Sequence, residues 1–196
     1  MLIAAGDRTV PCTVQTRTTL SPTEAHRIIV PIDLSLVFTG WGPFPGVRGA
    51  NNQTGAWDAV GQSRNPDLTD DSTAFEVLTE LNEGYSFAYE TTEFTNLLGK
   101  VIEGVRGEWT FTPDGEGAVI RWTYEFKPLP RRYLLLKCVI VPLWRNYMQS
   151  GVVNSARAAE TLATMGGRRV DGTVGGTAWP ASSTSRRCLP GALLAD

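Results

Sequence analysis

Large and polar residues alternate in three stretches of the chain: Tyr85-Ser-Phe87-Ala-Tyr89, Trp109-Thr-Phe111 and Ile120-Arg-Trp122-Thr-Tyr124-Glu-Phe126. A period of two puts the large side chains of each stretch on one face of a β-sheet. Further on the period changes. Leu136, Ile140, Trp144, Met148, Val152, Ala156, Ala159 and Ala163 recur at helical spacing, in a segment that starts near Arg131 and runs toward Met165. Pro142 and Gly151 interrupt it, which predicts a kink or two pieces rather than one straight rod. A sheet with a broad aromatic face needs a cover, and the late helix is the available one. The space between them is then either a packed core or a pocket.

The rest of the chain supplies the frame. Residues 12–20, rich in Thr and Val, predict a first strand. Ser21-Pro22-Thr23-Glu24 opens a helix: Ser21 caps, Pro22 suits the first helical position and Glu24 has capping-box spacing. That helix carries Ala25, Ile28 and Ile29 and stops before Pro31; a second short helical piece covers Leu34 to Phe38. Gly40-Trp-Gly-Pro-Phe-Pro-Gly46 breaks the pattern. Strands are predicted at roughly 47–58, 60–68, 72–81, 84–94, 101–112 and 117–127. Asp70-Asp71 and Asn82-Glu83-Gly84 read as tight connections, and Thr112-Pro113-Asp114-Gly115 as a hairpin turn. Short strands in series predict an antiparallel meander. Residues 1–165 form one domain in this reading. Residues 166–196, rich in Gly, Ser, Thr and Ala, read as a flexible tail.

Composition narrows the function. The 196 residues are 42% hydrophobic and 19% charged, as in a soluble globular domain, and the net charge of -2 disfavours a nucleic-acid partner. Cys12, Cys138 and Cys188 are odd in number and widely spaced, so no disulfide framework is implied. Cys138, in an apolar run, reads as a buried free thiol. A reducing, cytoplasmic location follows, with no secretory signal at Met1-Leu-Ile-Ala-Ala-Gly-Asp. The apolar run Tyr133 to Trp144 is too short to be an integral membrane segment, which needs roughly 20 residues.

The succession of strand, two short helices, six strands and a long helix carries a resemblance. Its residues are Ser21-Pro-Thr-Glu24, Gly61-Gln-Ser-Arg64 through Thr69-Asp70, Phe75-Glu76-Val77-Leu78-Thr79-Glu80, Tyr85-Ser-Phe-Ala-Tyr89 and Val119-Ile-Arg-Trp-Thr-Tyr-Glu-Phe126. In this order they resemble the START-related, Bet v 1-like helix-grip superfamily (SRPBCC), and within it the bacterial polyketide cyclase/dehydrase-like proteins. The resemblance spans residues 10–165. It implies an α+β helix-grip fold in which a curved antiparallel sheet of about seven strands wraps the C-terminal helix around a cavity. It also implies binding of lipids, sterols, polyketides or aromatic metabolites, with some members acting as cyclases or dehydratases. Two departures stand out. The family's Asp-Gly turn after the third strand is Asp70-Asp71-Ser72 here, and the tail has no counterpart. The Rieske branch binds iron through histidines, and this chain has one, His26.

The candidate chemistry is correspondingly sparse. His26 and the cysteines lack ligand spacing, so no metal or cofactor is expected. His26 reads as a surface residue of the first helix, and no nucleophile motif accompanies it. The Gly-rich run from Gly166 lacks the lysine of a phosphate-binding loop. Arg64 and Glu76, on consecutive strands, form either an exposed cross-strand pair or a polar group at the cavity. With Tyr124 they are the candidates for acid-base chemistry. Tyr89, Trp109, Trp122, Tyr124, Trp144 and Tyr147 are the candidate ligand contacts, because buried indoles and phenols need polar partners. Trp41 and Phe44, in the Gly-Pro loop, are candidates for a lid over the cavity mouth. Three functions remain open: a binder of a small hydrophobic or aromatic molecule, a cyclase, aromatase or dehydratase of polyketide-like substrates, and an interaction module acting through its tail. Nothing in the sequence bears on oligomeric state.

Overall fold

A computed structural model describes residues 2–4 and 6–167. The proposed tail, with Cys188 and the Arg168-Arg169 and Arg186-Arg187 pairs, lies outside the described residues apart from its first two positions. Seven antiparallel strands form a curled sheet in the order β1-β7-β6-β5-β4-β3-β2. They are β1 (Val10–Thr18), β2 (Val47–Asn51), β3 (Ser63–Leu68), β4 (Phe75–Asn82), β5 (Ser86–Thr92), β6 (Ile102–Asp114) and β7 (Gly117–Pro128). The last six form a meander, and β1 closes onto β7. Helices α1 (Pro22–Ile29) and α2 (Leu34–Val37) follow β1. The C-terminal helix consists of α3 (Tyr133–Leu135), a π-helical turn (Leu136–Ile140) and α4 (Val141–Gly167). This is the helix-grip arrangement.

Local chemistry explains the elements. Ser21 Oγ accepts from the Glu24 backbone N–H at 3.3 Å, and Pro22 stands at the start of α1 where its missing N–H costs nothing. Asp33 caps α2, accepting from the Ser35 N–H at 2.9 Å. The hairpin between β6 and β7 lies two residues later than Thr112-Pro113-Asp114-Gly115 suggested. Asp114 still pairs with Gly117, and Gly115 takes the left-handed conformation with φ 64°. Asp71, also left-handed with φ 64°, occupies the turn where the family prefers glycine.

Several further expectations change. The strand expected over 47–58 ends at Asn51, because Asn52 and Trp57 adopt left-handed backbone, and an irregular loop leads to β3. Gly151 does not break the C-terminal helix. It is a packing position: a Cβ there would lie 2.5 Å from Phe38 Cε1 and 3.3 Å from Trp122 Cζ3. The irregularity falls just before Pro142, where the π-turn accommodates a residue that can neither donate to the preceding turn nor clear its carbonyl. Cys138, on that turn, is exposed rather than buried.

The core lies between the sheet's concave face and α4, which packs on β1, β7, α1 and α2. Leu136, Met148, Val152 and Ala159 from the helical stripe are fully enclosed, as are Trp122, Phe126 and Ile120 from β7. His26 is buried too, contrary to its expected surface position. Its ring lies edge-on to Phe111 at 5.4 Å, with Nε2 3.3 Å from the Ser86 carbonyl oxygen. Desolvation holds its pKa below the ordinary 6.5. Among the described residues, no helix is long and apolar enough to cross a membrane.

Candidate functional site

The core does not close completely. A cavity of about 370 Å³ remains between the sheet, the segment from α1 to the Gly-Pro loop, and the inner face of the C-terminal helix. Strand alternation decides what faces it. β5 contributes Phe87, Tyr89 and Thr91, β6 contributes Trp109, and β7 contributes Trp122 and Tyr124. The helix adds Ile140, Trp144 and Tyr147.

One wall is a continuous aromatic surface. Trp109 stacks on Trp122 with ring centroids 4.8 Å apart, and Trp122 meets Tyr124 edge-on at 4.8 Å. Phe87 lies parallel to Trp109 at 5.8 Å. Gly107 makes part of this possible. It pairs with Tyr89 on one side and Tyr124 on the other. A Cβ at this position would lie 2.5 Å from Tyr89 Cζ and 2.7 Å from Tyr124 Cε1. Without that Cβ the two phenols lean across the β6 backbone and meet, the Tyr89 hydroxyl donating to that of Tyr124 at 3.2 Å. Burial, reinforced by the negative charge of Glu76, pushes the pKa values of Tyr89, Tyr124 and Tyr147 well above the ordinary 10. At neutral pH the three are therefore uncharged hydrogen-bonding groups, not bases.

The opposite end is ionic. Arg64 on β3 and Glu76 on β4 are direct cross-strand neighbours, and Arg64 Nε donates to Glu76 Oε2 at 2.8 Å. Thr91 Oγ1 donates to the second carboxylate oxygen at 3.2 Å. The guanidinium lies 3.8 Å over the Trp57 ring. The two charged side chains are 7% and 8% exposed, so the exposed salt-bridge reading is replaced by a buried pair lining the cavity. Desolvating two charges is costly, and the hydrogen bonds and the indole face offset that cost.

The polar inventory is not fully used. The one hydrogen bond shown for the Arg64 guanidinium runs from Nε to Glu76. Among the described residues, the indole N–H groups of Trp122 and Trp144 are buried and unpartnered. Buried donors of this kind ordinarily find a partner.

Residues 21–162 match the family described as polyketide cyclase/dehydrase and lipid transport. The chain belongs to that family. Among curated proteins, none matches the sequence. Solved structures share the fold at low identity. The polyketide cyclase/dehydrase-type chain is 11% identical to truncated norcoclaurine synthase from Thalictrum flavum, covering 82% of this chain and 97% of that one with a TM-score of 0.59. The protein XoxI from Bacillus cereus is 14% identical, covering 79% and 98%, with a TM-score of 0.57. Major latex-like protein 151 from Panax ginseng is 14% identical, covering 77% and 97%, with a TM-score of 0.55.

In this polyketide cyclase/dehydrase-type cavity the fold brings together Arg64, Glu76, Tyr89, Trp109, Trp122, Tyr124, Trp144, Tyr147 and Phe44. Trp41 stands apart. It pairs with Phe44 through the backbone, N–H to O at 3.1 Å and 3.0 Å, but its ring borders a shallow outer depression. Only Phe44 turns inward, edge-on to Trp144 at 4.6 Å, so it is a wall of the cavity. Tyr85, first in its alternating stretch, lies in the turn before β5 and is exposed. Sequence reasoning missed Trp57, Thr91 and Gly107. Trp57 carries a faint signal, a lone large aromatic in a polar stretch. Thr91 and Gly107 carry none, because their roles depend on cross-strand register. Among the described residues no three His, Cys, Asp or Glu side chains cluster as a metal site would require.

Proposed function

We propose that the chain is a cytoplasmic binder of a small, flat, hydrophobic molecule bearing oxygen atoms, a polyketide, lipid or aromatic metabolite held between sheet and helix. The observation that carries this reading is the pairing of an aromatic cavity, with unpartnered indole N–H groups in its wall, and a buried ion pair at its other end. The apolar wall favours a flat ring system or chain. Arg64, Tyr147 and the indoles of Trp122 and Trp144 offer hydrogen bonds to carbonyl, hydroxyl or carboxylate oxygens, which gives specificity beyond size. The cyclase or dehydratase alternative needs a free base near the bound molecule. Glu76 has both oxygens engaged by Arg64 and Thr91, and the phenols stay protonated, so the geometry favours binding over turnover.

Small molecules extracted from the purified, denatured protein and analysed by mass spectrometry should include an oxygenated hydrophobic compound at near-stoichiometric amount. Its return chemically unchanged after incubation with fresh protein supports a binder. Conversion to a cyclised or dehydrated product replaces the binder with the enzyme. A protein that carries nothing and does not bind the fluorescent probe anilinonaphthalene sulfonate contradicts both.

A further inference from the structure

The C-terminal helix has a second face. Opposite the residues that line the cavity, its first three turns present Leu134, Leu135, Val139 and Leu143 to solvent, 70%, 40%, 51% and 42% exposed. Cys138 and Pro142 are exposed alongside them. Residues four apart are neighbours on a helix surface, so the rows 134/138/142 and 135/139/143 form one contiguous apolar strip. Scattered exposed apolar residues are ordinary, but a strip of this kind on one helix face is not.

Charge identifies what covers it. Between Glu125 and Glu160 the chain contains no acidic residue, while Lys127, Arg131, Arg132, Lys137, Arg145 and Arg157 lie in that interval. Lys127 is neutralised by Asp7 and Glu103. Arg131, Arg132, Lys137 and Arg145 are exposed around the strip, in a protein whose net charge is -2. A second copy docked face to face would set these cations against their own equivalents. An anionic lipid surface complements both features: the apolar row enters the headgroup–acyl boundary and the cations meet lipid phosphates.

We propose that this outer face docks on anionic membranes, lying in the interface plane without spanning it. The inference stands independently of what the cavity holds. It places the helix between a bilayer on one side and the cavity on the other.

The test is flotation of the full chain with vesicles of phosphatidylcholine, alone or mixed with phosphatidylglycerol. Binding should require the anionic lipid and weaken with added salt. Arg131→Gln/Arg132→Gln should reduce partitioning by about thirtyfold, as expected for two interfacial charges. Val139→Ser/Leu143→Ser should reduce it by about tenfold or more. Both variants alter exposed positions, so unchanged circular dichroism and thermal midpoint are expected and serve as the folding control. Absence of binding by the native chain overturns the proposal, as does equal binding to neutral vesicles. So does a native dimer that Val139→Ser/Leu143→Ser dissociates and that fails to bind vesicles, which assigns the strip to a second copy.

Discussion

The two halves of the sheet are built on different principles. β1, β5, β6 and β7 pair over long registers, with β1 matched to β7 from Val10↔Phe126 to Thr18↔Ala118 without interruption. Their inner face is held by stacked rings. β2 and β3 are shorter, and the pairing of β3 with its neighbours is less regular. β3 and β4 pair directly at Ser63↔Val77 and Arg64↔Glu76, and register shifts interrupt the β2–β3 and β4–β5 pairings, whereas in β6–β7 the shift is confined to the end at Ile102. Here a buried ion pair stands where the other half has aromatic rings. The regular half gives the cavity its shape, and the irregular half gives it charge.

The contrast can be broken from either side. The largest effect is expected in the aromatic half, where Trp122→Ala should cost about 3–5 kcal/mol through a cavity that Trp109, Tyr124 and Phe38 cannot fill. Urea unfolding followed by circular dichroism measures it, and a loss below 1 kcal/mol would mean that the wall repacks freely. In the ionic half, Arg64→Met should cost nearly as much, about 3 kcal/mol or more, because it strands a buried carboxylate. Adding Glu76→Leu should recover most of that loss. If the double variant is no more stable than the single, the pair is holding β3 to β4 by more than its own charges.

Gly107→Val comes next, at about 1–3 kcal/mol of overpacking. It should also weaken anilinonaphthalene sulfonate binding far more than stability alone explains, since it displaces both phenols. The smallest effects are titrations. Phenol pKa values raised on folding leave stability unaffected below pH 10. Above pH 10 the unfolded tyrosines release protons that the folded ones retain, so stability falls as pH rises. Of the five tyrosines, Tyr89, Tyr124 and Tyr147 should ionise only together with unfolding in an absorbance titration. His26 has the opposite sign of pH dependence. Its lowered pKa makes stability fall as pH drops below 6.5, and His26→Phe should abolish that slope in acid unfolding.

How much was legible follows the same division. The β5–β7 strands and the helical stripe were readable because each has one buried face and therefore a strict period. The Phe87, Trp109 and Trp122 positions announce themselves this way. Arg64 and Glu76 could be paired from strand succession, but their burial could not, because it depends on Trp57 arriving from an irregular loop. His26 misled for a related reason. Helix α1 packs on β6 as well as α4, so a polar residue on a short helix found an enclosed seat against Phe87 and Phe111. Pro142 marked the right region for a helix irregularity, yet sequence alone does not distinguish a kink from a π-turn.

The central claim is that the aromatic half and the ionic half enclose one molecule between them. Fluorine NMR of protein labelled with 5-fluorotryptophan tests it directly, with the six resonances assigned by single Trp→Phe variants. On titration with 2-naphthol, the resonances of Trp109, Trp122 and Trp144 should shift together at a single saturation point while Trp41 stays in place. A shift confined to Trp41, or no shift in the three cavity tryptophans at saturating probe, would contradict the account.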